Sequence, residues 1–236
     1  GLRPATGPLF LLTVRAPVVG RGLNDPSGES HEPARTAGDH LAWGLARLLD
    51  LMADTMFSQR YGHRAVVLET IAAVPGMVAA MLLHLRSLRS LTGDHGWIRT
   101  LLDEAQNERM HLMTFVEIAR PIWWERWFIA IGQALFFAGY LVLYVIAPGP
   151  AHRMVGYLEE KAVASYSAYL EQLEHTSEGA RQAPVVAVNY WHLPATATLR
   201  DVVGRIRDDE CRHRDVNHAM AEQIASGCRS GFDESR

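Results

Sequence analysis

Two stretches of this sequence place a carboxylate three positions before an imidazole: Glu108 with His111, and Glu210 with His213. On an α-helix, positions i and i+3 share a face, so each pair can offer an oxygen and a nitrogen to one ion. With 11 histidines in 236 residues a single such pair is ordinary, and either pair alone also reads as a solvated helix face. Two isolated acids change that reading. Glu69 stands in Val66-Val67-Leu68-Glu69-Thr70-Ile71-Ala72-Ala73, and Glu159 follows Val155-Gly156-Tyr157-Leu158. A carboxylate in such apolar company is costly to bury unless it is paired or bound to metal. Two lone glutamates and two Glu-x-x-His pairs, each from its own helix, make the ligand set of a di-iron or di-manganese carboxylate centre in a four-helix bundle. Oxygen and imidazole donors without thiolate suit iron or manganese better than zinc, and redox chemistry favours two iron ions per chain. Glu69, Glu108 and His111 are assigned mainly to one iron and Glu159, Glu210 and His213 to the other, with some carboxylates bridging.

Helices must position these side chains. From His40 onward apolar residues recur at intervals of three and four, and no segment needs to be a strand. The pattern predicts helices over 40–58, 64–91, 95–119, 122–146, 151–176 and 197–225. Gly93, Pro121, the run Ala147-Pro148-Gly149-Pro150 and Pro184 supply breaks, and Pro75 should kink the second helix. The expected fold class is all-α: a ferritin-like four-helix di-iron bundle with additional helices. Residues 1–38, with Pro4, Pro8, Pro17, Pro26 and Pro33, read as an extended arm, 39–226 as the helical domain and 227–236 as a tail. Arg3, Arg15 and Arg21 precede the first acid, Asp25, as in an organelle-targeting remnant or an ordinary loop.

Composition narrows the partners. The chain is 48% hydrophobic, enough for a large core. Its 23 basic and 26 acidic residues give a formal charge of -3, without the positive field that gathers nucleic acid. Two cysteines, Cys211 and Cys228, make no disulfide framework and are expected to be free thiols. Residues 71–85 and 127–147 are apolar enough to raise a membrane question. If both stretches crossed a bilayer, Glu108 and His111 would lie roughly 30 Å from Glu69 and Glu159, and no shared centre could form. The ligand set therefore predicts a monotopic protein, held to one leaflet by apolar helix surface. Trp123, Trp124 and Trp127, with Arg120 and Arg126, suit an interfacial belt, though plain core tryptophans would look the same.

Longer motifs surround the candidate ligands: Leu68-Glu69-Thr70, Asn107-Glu108-Arg109-Met110-His111-Leu112, Leu158-Glu159-Glu160, and Asp209-Glu210 through His213-Arg214-Asp215-Val216-Asn217-His218. Over roughly residues 40–220 they resemble the alternative oxidases. That resemblance implies a cyanide-insensitive terminal ubiquinol oxidase, in which two quinols reduce one dioxygen to two waters without proton pumping. It implies further that Tyr166 stands beside the metal centre and supplies an electron and a proton during oxygen cleavage. Asn107, His152, Tyr190, Trp191 and Asp209 match positions that orient the ligands, and Arg64 and Leu68 match positions that line the quinol channel. The family also implies a homodimer. A mitochondrial inner membrane location on the matrix side is expected, with a bacterial plasma membrane as the alternative.

The sequence departs from the family pattern at a few places. Lys161 replaces a third consecutive Glu and Ser165 a common Thr, which alters the expected polar lining of the quinol pocket. Cys211 and Arg212 occupy the gap between Glu210 and His213 without changing its length. Two rival readings share the ligand spacing: a di-iron quinone hydroxylase and a ferritin-like iron store.

Overall fold

The computed structural model describes residues 31–57 and 61–227. Seven α-helices follow one another: α1 (Ala37–Phe57), α2 (Tyr61–Ser90), α3 (Trp97–Ala119), α4 (Trp123–Ile146), α5 (Pro148–Glu174), α6 (Val185–Trp191) and α7 (Leu199–Ala225). No strand occurs among the described residues beyond one isolated bridge, Gln182 to Thr198. The fold is all-α, as the periodicity required. Residues 1–30 and 228–236, which hold most of the expected arm, most of the tail and Cys228, lie outside the described residues. Residues 31–35 carry no regular secondary structure.

Local chemistry explains most of the helix ends. After α2, Leu91, His95 and Gly96 all take positive φ, so the chain turns before Asp94 Oδ2 accepts from the Ile98 N–H at 2.8 Å and starts α3. Arg120 in the left-handed conformation stops α3. Glu125 reaches back to the Ile122 N–H (2.9 Å) to open α4, and Thr198 with Asp201 forms a capping box at α7. The run Ala147-Pro148-Gly149-Pro150 does hold the break between two helices, but only its first residue is non-helical. Ala147 alone separates α4 from α5, and the prolines form the first turn of α5, where a missing N–H costs nothing. The short helix α6 was not anticipated, because seven residues show too little periodicity to register. Pro75 lies inside α2 and the helix continues through it.

Helices α2, α3, α5 and α7 make the bundle. The pairs α2–α3 and α5–α7 share the broadest contacts, and α2 meets α5 and α3 meets α7 across the middle. The apolar core falls into two clusters. One gathers Val78, Trp97, Leu101, Tyr140, Met154, Tyr157 and Met220; the other gathers Val66, Phe115, Tyr166, Tyr169, Val203 and Ile206. Along each bundle helix the candidate ligands fall between these clusters: Glu69 between Val66 and Val74, Glu108 between Leu101 and Phe115, Glu159 between Tyr157 and Tyr166, Glu210 between Ile206 and Met220. The carboxylates therefore form a polar layer sealed above and below by hydrocarbon.

Two further helices lie outside the bundle, α1 against α5 and α2, and α4 against α2 and α5. Arg153 on α5 ties α1 down through Asp39 (3.3 Å) and donates to Nδ1 of His218 (3.0 Å) on α7. That bond leaves the His218 Nε2–H to face Glu160 Oε1 at 3.0 Å. Glu160 also accepts from the Glu32 N–H (2.9 Å) and lies 2.5 Å from His31 Nδ1, which fixes the segment leading into α1.

The two apolar helices differ in how much they hide. Half of the apolar stretch of α2 is buried, against 11% of that of α4. Trp123, Trp124 and Trp127 are 74%, 53% and 67% exposed, so they are surface residues and not core tryptophans.

Helices α2 and α3 pack tightly at Gly76, where a Cβ would come within 2.6 Å of the Leu101 carbonyl oxygen. Gly76→Ala should therefore destabilise the protein by about 1–3 kcal/mol, the usual cost of overpacking. Gly204→Ala, with no atom within 4 Å of the new methyl, should instead stabilise by about 0.5–1 kcal/mol through helix propensity. Chemical denaturation of the two variants measures both signs, and equal effects would contradict this packing.

Candidate metal centre

All six predicted ligands converge in the polar layer. Ligand atoms of Glu69, Glu108, His111 and Glu210 lie within 4.8 Å of one another. Nδ1 of His111 stands 3.1 Å from Glu210 Oε1, 3.3 Å from Glu69 Oε2 and 3.5 Å from Glu108 Oε2. His213 joins through Nδ1, 2.5 Å from Glu108 Oε1 and 3.8 Å from Glu210 Oε2. Glu159 completes the group through a hydrogen bond shared with Glu210. Each of these residues is at most 7% exposed.

Whether these residues fit a metal can be tested on their unmet bonding capacity. Oε2 of Glu69, both oxygens of Glu108, Oε2 of Glu210 and Nδ1 of both His111 and His213 are buried without a hydrogen-bond partner. They crowd together at contact distances but are not aligned as hydrogen bonds. Buried polar atoms seldom lack partners, and six in one cluster point to a common one. Cations between four carboxylates and two imidazoles would satisfy them, and the donor set fits.

The outer residues prepare the ligands. Asp209 Oδ2 accepts from His111 Nε2 (3.3 Å), Trp191 Nε1 (2.9 Å) and Asn107 Nδ2 (2.9 Å). Since a carboxylate only accepts, the His111 proton sits on Nε2 and its Nδ1 lone pair faces the cluster, the tautomer a metal ligand needs. Burial works against the ionised Asp209 carboxylate, but these donors prevail and hold its pKa down at about 2. Asn107 Nδ2 also reaches Tyr190 Oη at 3.1 Å. Tyr166 donates its hydroxyl to Glu69 Oε1.

His152 behaves differently from its neighbours in the sequence-based prediction. It reaches the centre only at one remove: its Nδ1 meets Asn217 Oδ1 (2.9 Å), and Asn217 Nδ2 donates to the His213 carbonyl (3.0 Å) and to Glu104 (2.9 Å). Burial lowers the His152 pKa to about 4, against the opposing pull of Asn217, so its imidazole is neutral. Glu104 and Asn217 had not been singled out. Glu104 precedes Glu108 by one helical turn on the same face, a spacing that could have marked it. Burial raises its pKa to about 7, against the opposing pull of His213 and Asn217.

Titration in the centre follows from crowding. Burial first, then the charges of Glu210 and Glu108, raise Glu69 well above the usual carboxyl range. Glu159 is raised in the same way by burial and Glu210. Burial would lower His111 and His213, but the facing carboxylates, Glu108 foremost, together outweigh it and raise both. Burial would raise Glu108, but the two imidazoles pull it well below its ordinary value. Burial and Glu69 keep the Tyr166 hydroxyl protonated.

An apolar cavity of about 270 Å³ opens onto one side of this layer. Its wall includes Glu69, Glu159, Glu210 and Tyr166 at the inner end, Met52, Phe128, Ile131 and Leu135 toward the outside, and Leu68 and Arg64 between. Arg64 is held in place by Ser165 Oγ (2.6 Å) and Asp50 Oδ1 (3.2 Å). Asp50 on α1 had no signal in the sequence. The exposed Lys161 also lines the cavity.

A helical bundle with this layer has the architecture of the four-helix carboxylate metal proteins. The chain belongs to the alternative oxidase family, whose profile matches residues 25–222. It is 49% identical over 199 residues to the mitochondrial ubiquinol oxidase of Mangifera indica, covering 84% of this chain and 63% of that protein. It is 53% identical over 192 residues to mitochondrial ubiquinol oxidase 1a of Oryza sativa subsp. japonica (81% and 58%). It is 51% identical over 194 residues to mitochondrial ubiquinol oxidase 1c of Arabidopsis thaliana (82% and 59%). The chain thus spans about three-fifths of the length of these relatives.

Because the pKa values of Glu69, Glu159, His111 and His213 are all raised, protons compete with a cation for these ligand atoms. Metal uptake should release protons, and affinity should fall as pH drops. A pH-indicator titration with ferrous iron reads this directly, and binding without proton release would contradict it. Asp209→Asn removes the carboxylate that orients His111 and should weaken iron binding by about 10–100-fold.

Proposed function

We propose that the chain is a ubiquinol oxidase that holds two iron ions through Glu69, Glu108, His111, Glu159, Glu210 and His213 and reduces dioxygen to water, insensitive to cyanide and without proton pumping. The observation that carries this reading is the cavity. It joins an apolar mouth to the carboxylates of the centre, and the Arg64 guanidinium, held by Ser165 and Asp50, is part of its wall. A quinol has the matching chemistry: an apolar tail and ring with two hydroxyls. The names of the relatives support the same substrate.

When bound, the iron pair supplies the redox chemistry that takes electrons from quinol and gives them to dioxygen. The protein's own groups do the rest. Arg64, fixed by Ser165 and Asp50, donates a hydrogen bond to a quinol oxygen, and Leu68 packs against the ring. Tyr166 holds its proton on the hydroxyl that faces Glu69, at the inner end of the cavity, where a proton and an electron can be drawn from it. The hydrocarbon clusters on either side keep bulk water away from the layer. Two quinols provide four electrons and four protons, and one dioxygen becomes two waters.

The surface agrees with a membrane substrate. Leu48, Leu51 and Met52 on α1 and Trp127, Ile131 and Leu135 on α4 are each at least half exposed. The cavity opens among residues of these two helices, so they are the face pressed into one leaflet, with the tryptophans at the interface. Exposed Met77, Met81 and Leu88 on α2 are apolar surface that a homodimer would cover. The relatives are mitochondrial by name, which favours the inner mitochondrial membrane, on the matrix side, over a bacterial plasma membrane.

With a ubiquinol analogue, the iron-loaded protein should consume oxygen in an oxygen electrode, and cyanide should leave the rate unchanged. Glu108→Ala should abolish uptake and Tyr166→Phe should sharply lower it. Arg64→Ala should weaken quinol binding by about tenfold or more, as expected for losing a charged hydrogen bond of about 1.5–3 kcal/mol. Undiminished turnover in Glu108→Ala would overturn the proposal.

A further inference from the structure

The metal layer has two unlike sides. The cavity reaches Glu69, Glu159, Glu210 and Tyr166 on one side, and neither Trp191 nor Tyr190 lines it. On the other side the Trp191 ring stacks on His111, with centroids 5.8 Å apart and planes at 18°. Tyr190 meets Trp191 edge-on at 4.9 Å, and both rings are partly exposed. An unbroken aromatic contact therefore runs from a ligand imidazole to the protein surface, away from where the substrate enters. Tyr166 offers no such exit, because its stacking partner is Phe115 (5.7 Å, 12°), a fully buried ring much harder to oxidise than indole or phenol.

We propose that Trp191 and Tyr190 form an electron relay between the metal centre and the solvent, which carries oxidising equivalents out when dioxygen reacts and no quinol is present. This rests on the reading that the centre reduces dioxygen. Trp191 gives one electron to the centre and becomes a radical cation. The Asp209 carboxylate, 2.9 Å from its Nε1, stabilises that positive charge. Tyr190 then returns one electron to Trp191. Its hydroxyl oxygen accepts from Asn107, so the phenolic proton points elsewhere and leaves to water. The resulting Tyr190 phenoxyl takes an electron from a small soluble thiol and a proton from solvent; the thiol gives its own proton to solvent and becomes a thiyl radical, and two of these pair as a disulfide. Each pass therefore moves one electron from the thiol to the centre and leaves both side chains unchanged.

Iron-loaded protein, reduced and then exposed to oxygen without quinol or thiol in the presence of a nitroso spin trap, tests the relay by peptide mass spectrometry. The expected result is adducts on Tyr190 and Trp191, and none there in metal-free protein. Trp191→Phe should lose the Tyr190 adduct. Tyr190→Phe keeps the indole, so its adduct should accumulate on Trp191, which decides the matter should Trp191→Phe bind iron poorly. A purely structural role for Trp191 would not move the label in this way. Equal labelling of Tyr190 in Trp191→Phe, labelling without metal, or no label at either ring in protein whose iron has been oxidised overturns the relay. Oxygen uptake with a ubiquinol analogue on the same preparation separates the two readings. Normal uptake without labelled rings removes the relay alone, and labelled rings without quinol-driven uptake remove the proposed function alone.

Discussion

Four carboxylates and two imidazoles share one buried layer, and the rest of the structure is arranged around the repulsion this creates. Stripped of water, neighbouring carboxylates cannot all be ionised without cations among them. The pKa pattern shows the strain directly: Glu69 and Glu159 are pushed up while Glu108, facing both imidazoles, is pulled down. Protons can relieve part of this. The six unpartnered buried donor and acceptor atoms show that protons and internal hydrogen bonds do not relieve all of it, and metal ions held among them would.

Such a layer demands rigid walls. Each bundle helix brings its ligands in between two apolar clusters, so a shift of any helix along its axis would drive a carboxylate into hydrocarbon. Gly76 lets α2 and α3 close to van der Waals contact, and the Arg153–His218–Glu160 chain locks α5 to α7. The surroundings differ from side to side. Toward α1 and α4 the layer opens into an apolar cavity suited to a lipid-soluble reductant, and toward α6 it is backed by Asp209, Asn107, Trp191 and Tyr190, which hold His111.

Much of this was legible in the sequence. Glutamates in apolar runs and Glu-x-x-His spacing are local signals, and helical periodicity converts them into positions on a face, so the six residues that meet in this layer could be named without coordinates. The resemblance supplied Asp209, Asn107, Trp191 and Tyr190, which the structure does gather around His111. What stayed hidden depends on contacts between distant segments. Asp50 sits on an outer helix and meets Arg64 only through the tertiary fold. Asn217 was visible within a motif, but its bridge from His152 to Glu104 was not. The break at Ala147 was legible, but that Pro148 and Pro150 lie inside the first turn of α5 was not.

The central claim, a dinuclear centre built from these six residues, is tested most directly by Mössbauer spectroscopy of the protein reconstituted with enriched iron. Two coupled high-spin iron sites with oxygen and nitrogen ligands are expected in each chain, lost together in Glu108→Ala. A single uncoupled iron per chain, or an unchanged spectrum in that variant, would contradict it.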